Sequence, residues 1–194
     1  EDMPDFDRLL TPGTHEHDVM VANWDLAAGA LGKLRDAGIP VLWRPFHEFD
    51  GKWFWWGKGG GESFVRLWRM MYDRYTNEFG LNNIIWVLGY SGEVEEGWYV
   101  GDDYCDIIGS DTYDNTTNRK AWKKLEAFNT AGKPMAFHEC GNVPAMENFV
   151  NDGCLWSWFM IWHTDYIKNN DVENLKAVYN SDLVITLDQL PTFV

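Results

Sequence analysis

Five short apolar runs, set among stretches with helical spacing, constrain this chain more than any other feature. The runs are Val41 to His47 (VLWRPFH), Ile84 to Leu88 (IIWVL), Asp106 to Ser110 (DIIGS), Pro134 to His138 (PMAFH) and Leu155 to Ile161 (LWSWFMI). They are apolar throughout rather than alternating, the pattern of strands covered on both faces. Around them, Trp24 to Ala37, Ser63 to Phe79, Asn118 to Thr130 and Ala145 to Asn151 predict helices, and Asp171 to Tyr179 predicts a closing one. Gly38-Ile39-Pro40 stops the first helix, and Gly80 sits at the C′ position of the second. Strand–helix alternation of this kind implies a parallel sheet covered by helices, in a single α/β domain over residues 1–194.

Two architectures compete, the doubly wound sheet and the (β/α)8 barrel. No GxGxxG or P-loop follows any strand, which weakens a nucleotide-binding sheet. Polar residues gather just after strand ends instead, at Glu48, Asp111 and Glu139. A barrel places its catalytic groups there. Five strands fall short of eight, and 194 residues fall short of the roughly 250 of a typical barrel. About five of eight βα units are therefore expected here. Such an open sheet would leave two long parallel edges, so a second fragment or a second copy is expected to complete the barrel.

Charge and composition narrow the partners. A net charge of −14 repels phosphate backbones, which argues against nucleic acid. No apolar run approaches the roughly 20 residues of a membrane span. The 12 Trp exceed what packing usually demands, and their flat faces suit pyranose rings, although a Trp-rich core is the plainer explanation. The three cysteines, Cys105, Cys140 and Cys154, allow one disulfide at most and resemble no zinc site.

Glu48 ends Arg44-Pro45-Phe46-His47-Glu48, and Glu139 ends Met135-Ala136-Phe137-His138-Glu139. Two strand-terminal carboxyls on one rim can face each other across a cleft. Glycoside hydrolysis needs such a pair, one acid for the leaving oxygen and one carboxylate for the anomeric carbon. A lone Glu after a strand is more often a cap or surface group. Two of them, each preceded by His and flanked by aromatics, favour chemistry. Which is acid and which nucleophile the residues alone leave open.

The segment Arg44-Pro45-Phe46-His47-Glu48-Phe49-Asp50-Gly51-Lys52-Trp53-Phe54-Trp55-Trp56-Gly57 resembles the signature of glycoside hydrolase family 26, mostly endo-β-1,4-mannanases on a (β/α)8 barrel. The likeness continues in Asn83 to Val87, Gly101 to Gly109 and Lys133 to Glu139. It implies strands four to eight of the barrel, with Glu48 as acid/base and Glu139 as nucleophile of a retaining double displacement. His47 then resembles a histidine near the −1 sugar, and Trp53 an aromatic platform on the leaving-group side. Asp111 and Tyr113 match a pair beside the nucleophile, where a tyrosine hydroxyl would hold Glu139 ionised. Trp162 resembles the floor of the −1 subsite.

Other positions carry competing expectations. Arg44 is either a substrate contact or a cation satisfying a buried carboxylate. His163 is preferred to His138 as a sugar contact. Trp55 and Trp56 cannot both face the cleft from an extended segment, and Trp86, Trp156 and Trp158 suit the core better than a subsite. Cys140 has no base beside it, so thiol chemistry is not expected. The implied activity is endo-hydrolysis of β-mannan or manno-oligosaccharides, outside the cell, without metal or organic cofactor. A β-1,3-xylanase, a mixed-linkage β-glucanase and a non-catalytic carbohydrate-binding protein are the alternatives.

Overall fold

The computed structural model describes residues 4–192. A single turn, α1 (Phe6–Leu9), leads into the long helix α2 (His15–Asp36), whose first N–H groups are capped by Thr14. The strands are β1 (Val41–Trp43), β2 (Ile84–Tyr90), β3 (Ile107–Thr112), β4 (Met135–Cys140) and β5 (Phe159–Ile161). Between them run α3 (Gly60–Asp73), α4 (Arg119–Phe128) and α5 (Met146–Asp152), and α6 (Asp165–Asn169) and α7 (Val172–Tyr179) follow. All five strands are parallel and pair in chain order, β1-β2-β3-β4-β5. This is the expected α/β arrangement, five consecutive units of a barrel wall. Among the described residues no helix is long and apolar enough to cross a membrane.

Burial explains the continuous apolar runs. Six of the seven β2 residues are buried, and all six of β4. One face meets the helices and the other the barrel interior, so neither position along the strand is free to be polar without a partner. The main core joins α2, α3, the turn that follows α3, and β2 through Trp24, Trp68, Tyr75 and Trp86. Tyr75 meets the price of a buried hydroxyl by donating to the Trp24 carbonyl at 2.9 Å. Trp24, Trp68, Trp86 and Trp98 are all core residues, whereas Trp53 is 55% exposed. The plainer explanation of the tryptophan count therefore holds for much of it.

Several expectations need correction. Helix α2 begins nine residues before Trp24, because its first turns carry His, Glu and Asp rather than an apolar stripe. The first strand stops at Trp43 instead of His47, and the last starts at Phe159 instead of Leu155. Both edge strands are thus three residues long, so the exposed edges are short, one way of blunting an unpaired edge. Helix α3 ends at Asp73 and continues as one wide turn, Arg74–Glu78. All three cysteines are buried and free.

Candidate active site

Past Trp43 the chain leaves the sheet and turns sharply. Phe46 and Glu48 both adopt left-handed backbone, at φ 52° and 53°. For side chains with a Cβ this costs on the order of 1–2 kcal/mol each. The loop is held regardless. The Glu48 N–H donates to the Gly89 carbonyl at 2.8 Å, and the Trp56 indole to the His47 carbonyl at 2.8 Å. The Asp50 carboxylate accepts from the Ser91 N–H at 2.7 Å. Phe46 packs against Trp24, Trp55 and Trp56, and the fully buried Phe49 stacks on Phe64. Fixed in this way, Glu48 lies half-buried on the rim and its carboxylate accepts from the Trp53 indole at 3.0 Å.

Glu139 reaches the same place by another device. Ser110 pairs with Phe137 and Asp111 with Glu139, so β4 carries one extra residue between them. The same irregularity separates β4 from β5, where Phe137 pairs with Phe159 and Cys140 with Ile161. Strict alternation would send Glu139 to the side of Phe137. The bulge resets the phase. Phe137 and Cys140 pack outward with Phe149 and Val178, while His138 and Glu139 both turn inward. His138 fits because Gly109 lies opposite it; a Cβ there would approach the imidazole Nε2 to 2.6 Å.

One guanidinium serves two carboxylates. Arg44 Nη1 lies 3.2 Å from Asp111 Oδ1, and its Nη2 pairs with Glu139 Oε1. Tyr113 donates its hydroxyl to Glu139 Oε2 at 2.7 Å. One carboxylate oxygen from each of Glu48, Asp111 and Glu139 falls within 4.8 Å of the others. Three such oxygens could ligate a hard cation. Arg44 already brings positive charge to two of them. Burial drives the Asp111 carboxyl well above the usual range, and the charges of Glu139 and Glu48 add to this against Arg44. Burial and the bond to Glu139 likewise keep the Tyr113 phenol protonated, as a donor. The His138 imidazole, buried and near Arg44, is pushed down to about 3 and stays neutral. His47 is also lowered, by burial first and Arg44 second.

The structure thus brings Arg44, Glu48, Trp53, Asp111, Tyr113 and Glu139 into one hydrogen-bonded or closely spaced group. Arg44 is the cation of the buried carboxylates. His47 sits beside that group with its ring 4.8 Å from Phe54 and 5.7 Å from Trp56. Trp162 and His163 lie on the same rim just past β5, where the Trp162 N–H donates to the Cys140 carbonyl at 2.8 Å. The His163 ring meets Thr164 rather than a carboxylate, with Nδ1 2.9 Å from its hydroxyl. Trp55 and Trp56 both stay partly buried against the core. Two supports escaped the sequence reading. Asn118 is buried and its amide donates to the Asp111 carbonyl at 3.4 Å, and Asp50 anchors the loop after Glu48. Asp50 stood in the quoted Glu48-Phe49-Asp50 run; nothing in sequence marked Asn118.

A parallel α/β wall with its carboxylates at the strand ends places the chain in the (β/α)8 barrel class. Within that class it belongs to glycosyl hydrolase family 26, whose family model matches residues 5–189. It is 36% identical to a mannan endo-1,4-β-mannosidase of Thermothelomyces thermophilus over 97% of this chain and 40% of that protein. Mannan endo-1,4-β-mannosidase B of a Piromyces species is 33% identical over 96% of this chain and 33% of that one. Among solved structures, the β-mannanase from a symbiotic protist of the termite Reticulitermes speratus, complexed with gluco-manno-oligosaccharide, superposes with a TM-score of 0.89. It is 37% identical, over 97% of this chain and 60% of that one. A ruminal endo-β-1,4-mannanase of the family gives 0.91 at 29% identity, over 98% of this chain and 45% of that one. The chain spans well under half the length of the curated relatives named here.

Proposed function

We propose that this chain carries the catalytic face of a retaining endo-β-1,4-mannanase, with Glu139 as nucleophile and Glu48 as acid/base. The observation that carries this reading is that one carboxylate oxygen of Glu48, in the loop past β1, and one of Glu139, near the end of β4, lie within 4.8 Å. Retaining enzymes hold the pair about 5–5.5 Å apart, whereas inversion needs about 6.5–9.5 Å to admit a water. The roles follow from surroundings. Glu139 is 3% exposed, pairs with Arg44 and accepts from Tyr113, so its oxygens are aimed and its charge is balanced. Glu48 is half-buried beside an exposed Trp53, where a leaving sugar and then a water can reach it.

In the first step Glu48 protonates the glycosidic oxygen while Glu139 attacks C1. In the second, Glu48 takes a proton from water, which displaces Glu139 from the sugar. Trp53, His47, Trp162 and His163 line the rim as sugar contacts. The mannanase names of the relatives support β-mannan and manno-oligosaccharides as substrates, and a polymer outside the cell implies secretion. Further strands, from the same polypeptide or a second, would pair with the open edges of β1 and β5. The test is reducing-sugar release from β-1,4-mannan, with Glu139→Gln beside the unmodified protein. Release abolished by the substitution is expected; equal release from both would sink the assignment.

A further inference from the structure

Tyr113 reaches Glu139, the proposed nucleophile, yet the residue is 37% exposed and follows directly on the end of β3. A phenol so placed needs lateral support to keep one rotamer. The support comes from the far side of the nucleophile strand. Tyr166, on the short helix α6, packs its ring 5.0 Å from that of Tyr113 at 49°. Both rings rest on Gly141, two residues after Glu139. A Cβ on Gly141 would lie 3.2 Å from Tyr166 Cδ1 and 3.4 Å from Tyr113 Cδ1.

Tyr166 is itself anchored. Asn170, 5% exposed, donates its amide to the Tyr166 carbonyl at 2.7 Å and to the Gly141 carbonyl at 2.9 Å. Its amide oxygen accepts from the Val143 N–H at 2.9 Å. One buried side chain thus ties α6 to the segment that leaves β4. Three bonds from a single rotamer leave that junction little freedom.

We propose that Tyr166 is a positioning residue that holds Tyr113 against Glu139, and that Asn170 is the clamp that holds Tyr166. The inference rests on Glu139 being the nucleophile. Tyr166 acts through its ring, which packs against that of Tyr113 and lies where a Cβ on Gly141 would meet it. Removing the ring frees Tyr113 to rotate, and Glu139 loses a donor without any change in its own sequence neighbours.

Two readouts test this. The first is independent of turnover. The Tyr113 hydroxyl proton, identified by its loss in Tyr113→Phe, should give a slowly exchanging NMR signal in the unmodified protein and in Tyr166→Phe. It should vanish in Tyr166→Ala and in Tyr166→Leu, the latter retaining apolar bulk if the former fails to fold. A signal undiminished in the folded variant overturns the proposal, as does its absence from the unmodified protein. The second is kcat on β-1,4-mannan. Tyr166→Leu should lower it about tenfold, and adding Tyr113→Phe should leave it no worse than Tyr113→Phe alone. Multiplying losses would show that Tyr166 acts elsewhere. Absence of turnover in the unmodified protein would mean that the further strands are needed for activity, with the NMR signal still deciding this proposal.

Discussion

His47-Glu48 and His138-Glu139 are the same dipeptide at the ends of two parallel runs, yet the fold treats them in opposite ways. The first pair leaves the sheet on left-handed backbone and stays half-buried among aromatics. The second stays within the sheet, is buried throughout, and gains its inward aim from a bulge. Glu48 has an exposed indole for its donor, whereas Glu139 has a guanidinium and a phenol. The acid and nucleophile roles proposed for the two carboxyls need unlike surroundings. Here the unlikeness is produced by backbone geometry, before any difference in neighbours is counted.

The sharpest way to break that comparison is to remove each carboxylate. Glu139→Gln should lower turnover by roughly four orders of magnitude on any mannoside, as expected for a covalent participant. Glu48→Ala should be as damaging on mannan, yet spare the first step on a mannoside whose leaving group needs no proton. A pre-steady-state burst of that leaving group, seen with Glu48→Ala and absent with Glu139→Gln, checks the division. Equal bursts would erase it. Next comes Arg44→Met. It strands two buried carboxylates, which should cost about 3–5 kcal/mol in urea unfolding at neutral pH. The loss should shrink on acidification, as Asp111, whose pKa burial already raises, takes up a proton. A variant as stable as the parent at pH 7 would mean that Arg44 is a substrate contact after all.

Much of this was legible beforehand, and the reason is chemical type. Glu48, Glu139 and Asp111 are polar groups stranded at the ends of apolar runs, and such groups need partners; Tyr113 was marked only by the family resemblance. The strand count and parallel order followed from unbroken apolar stretches. What stayed hidden depends on backbone phase. No residue type announces the extra residue in β4, and Phe46 and Glu48 are poor candidates for left-handed backbone. The start of α2 was missed because an exposed helical turn has no apolar stripe to read. Asn118 and Asn170 were missed because a buried amide looks like a loop amide until its partners are known.

The histidines extend the comparison to pH. His138 titrates at about 3 when folded and near 6.5 when unfolded. Its folded value is the lower, so on acidification the unfolded chain takes the proton first. The stability it contributes is complete above about pH 6.5 and is lost as pH falls toward 3. One proton corresponds to roughly 1.4 kcal/mol per pH unit within that window. His138→Gln should flatten the dependence of the urea midpoint between pH 6.5 and 5 relative to the parent. His47 is shifted in the same direction but is only half-buried, so His47→Gln should flatten it less. Equal slopes in the two variants would contradict the difference in burial.

The finest test compares the donors. Tyr113→Phe and Trp53→Phe each delete one hydrogen bond to a carboxylate of the proposed catalytic pair and keep an aromatic ring. The Tyr113 bond at 2.7 Å serves a buried, charge-paired acceptor, and a bond to a charged group is worth about 1.5–3 kcal/mol. The loss in kcat/KM should therefore be between about tenfold and a hundredfold. The Trp53 bond at 3.0 Å lies in the open, where water replaces the lost donor at once. Its loss should cost only a few-fold, on the order of 1 kcal/mol or less. Trp53→Ala, which also removes the proposed sugar contact, should instead raise KM. If Trp53→Phe proved as damaging as Tyr113→Phe, Glu48 would be as dependent on a fixed donor as Glu139. The contrast between a rim carboxylate open to water and a buried, aimed one would then fail at the point where catalysis needs it.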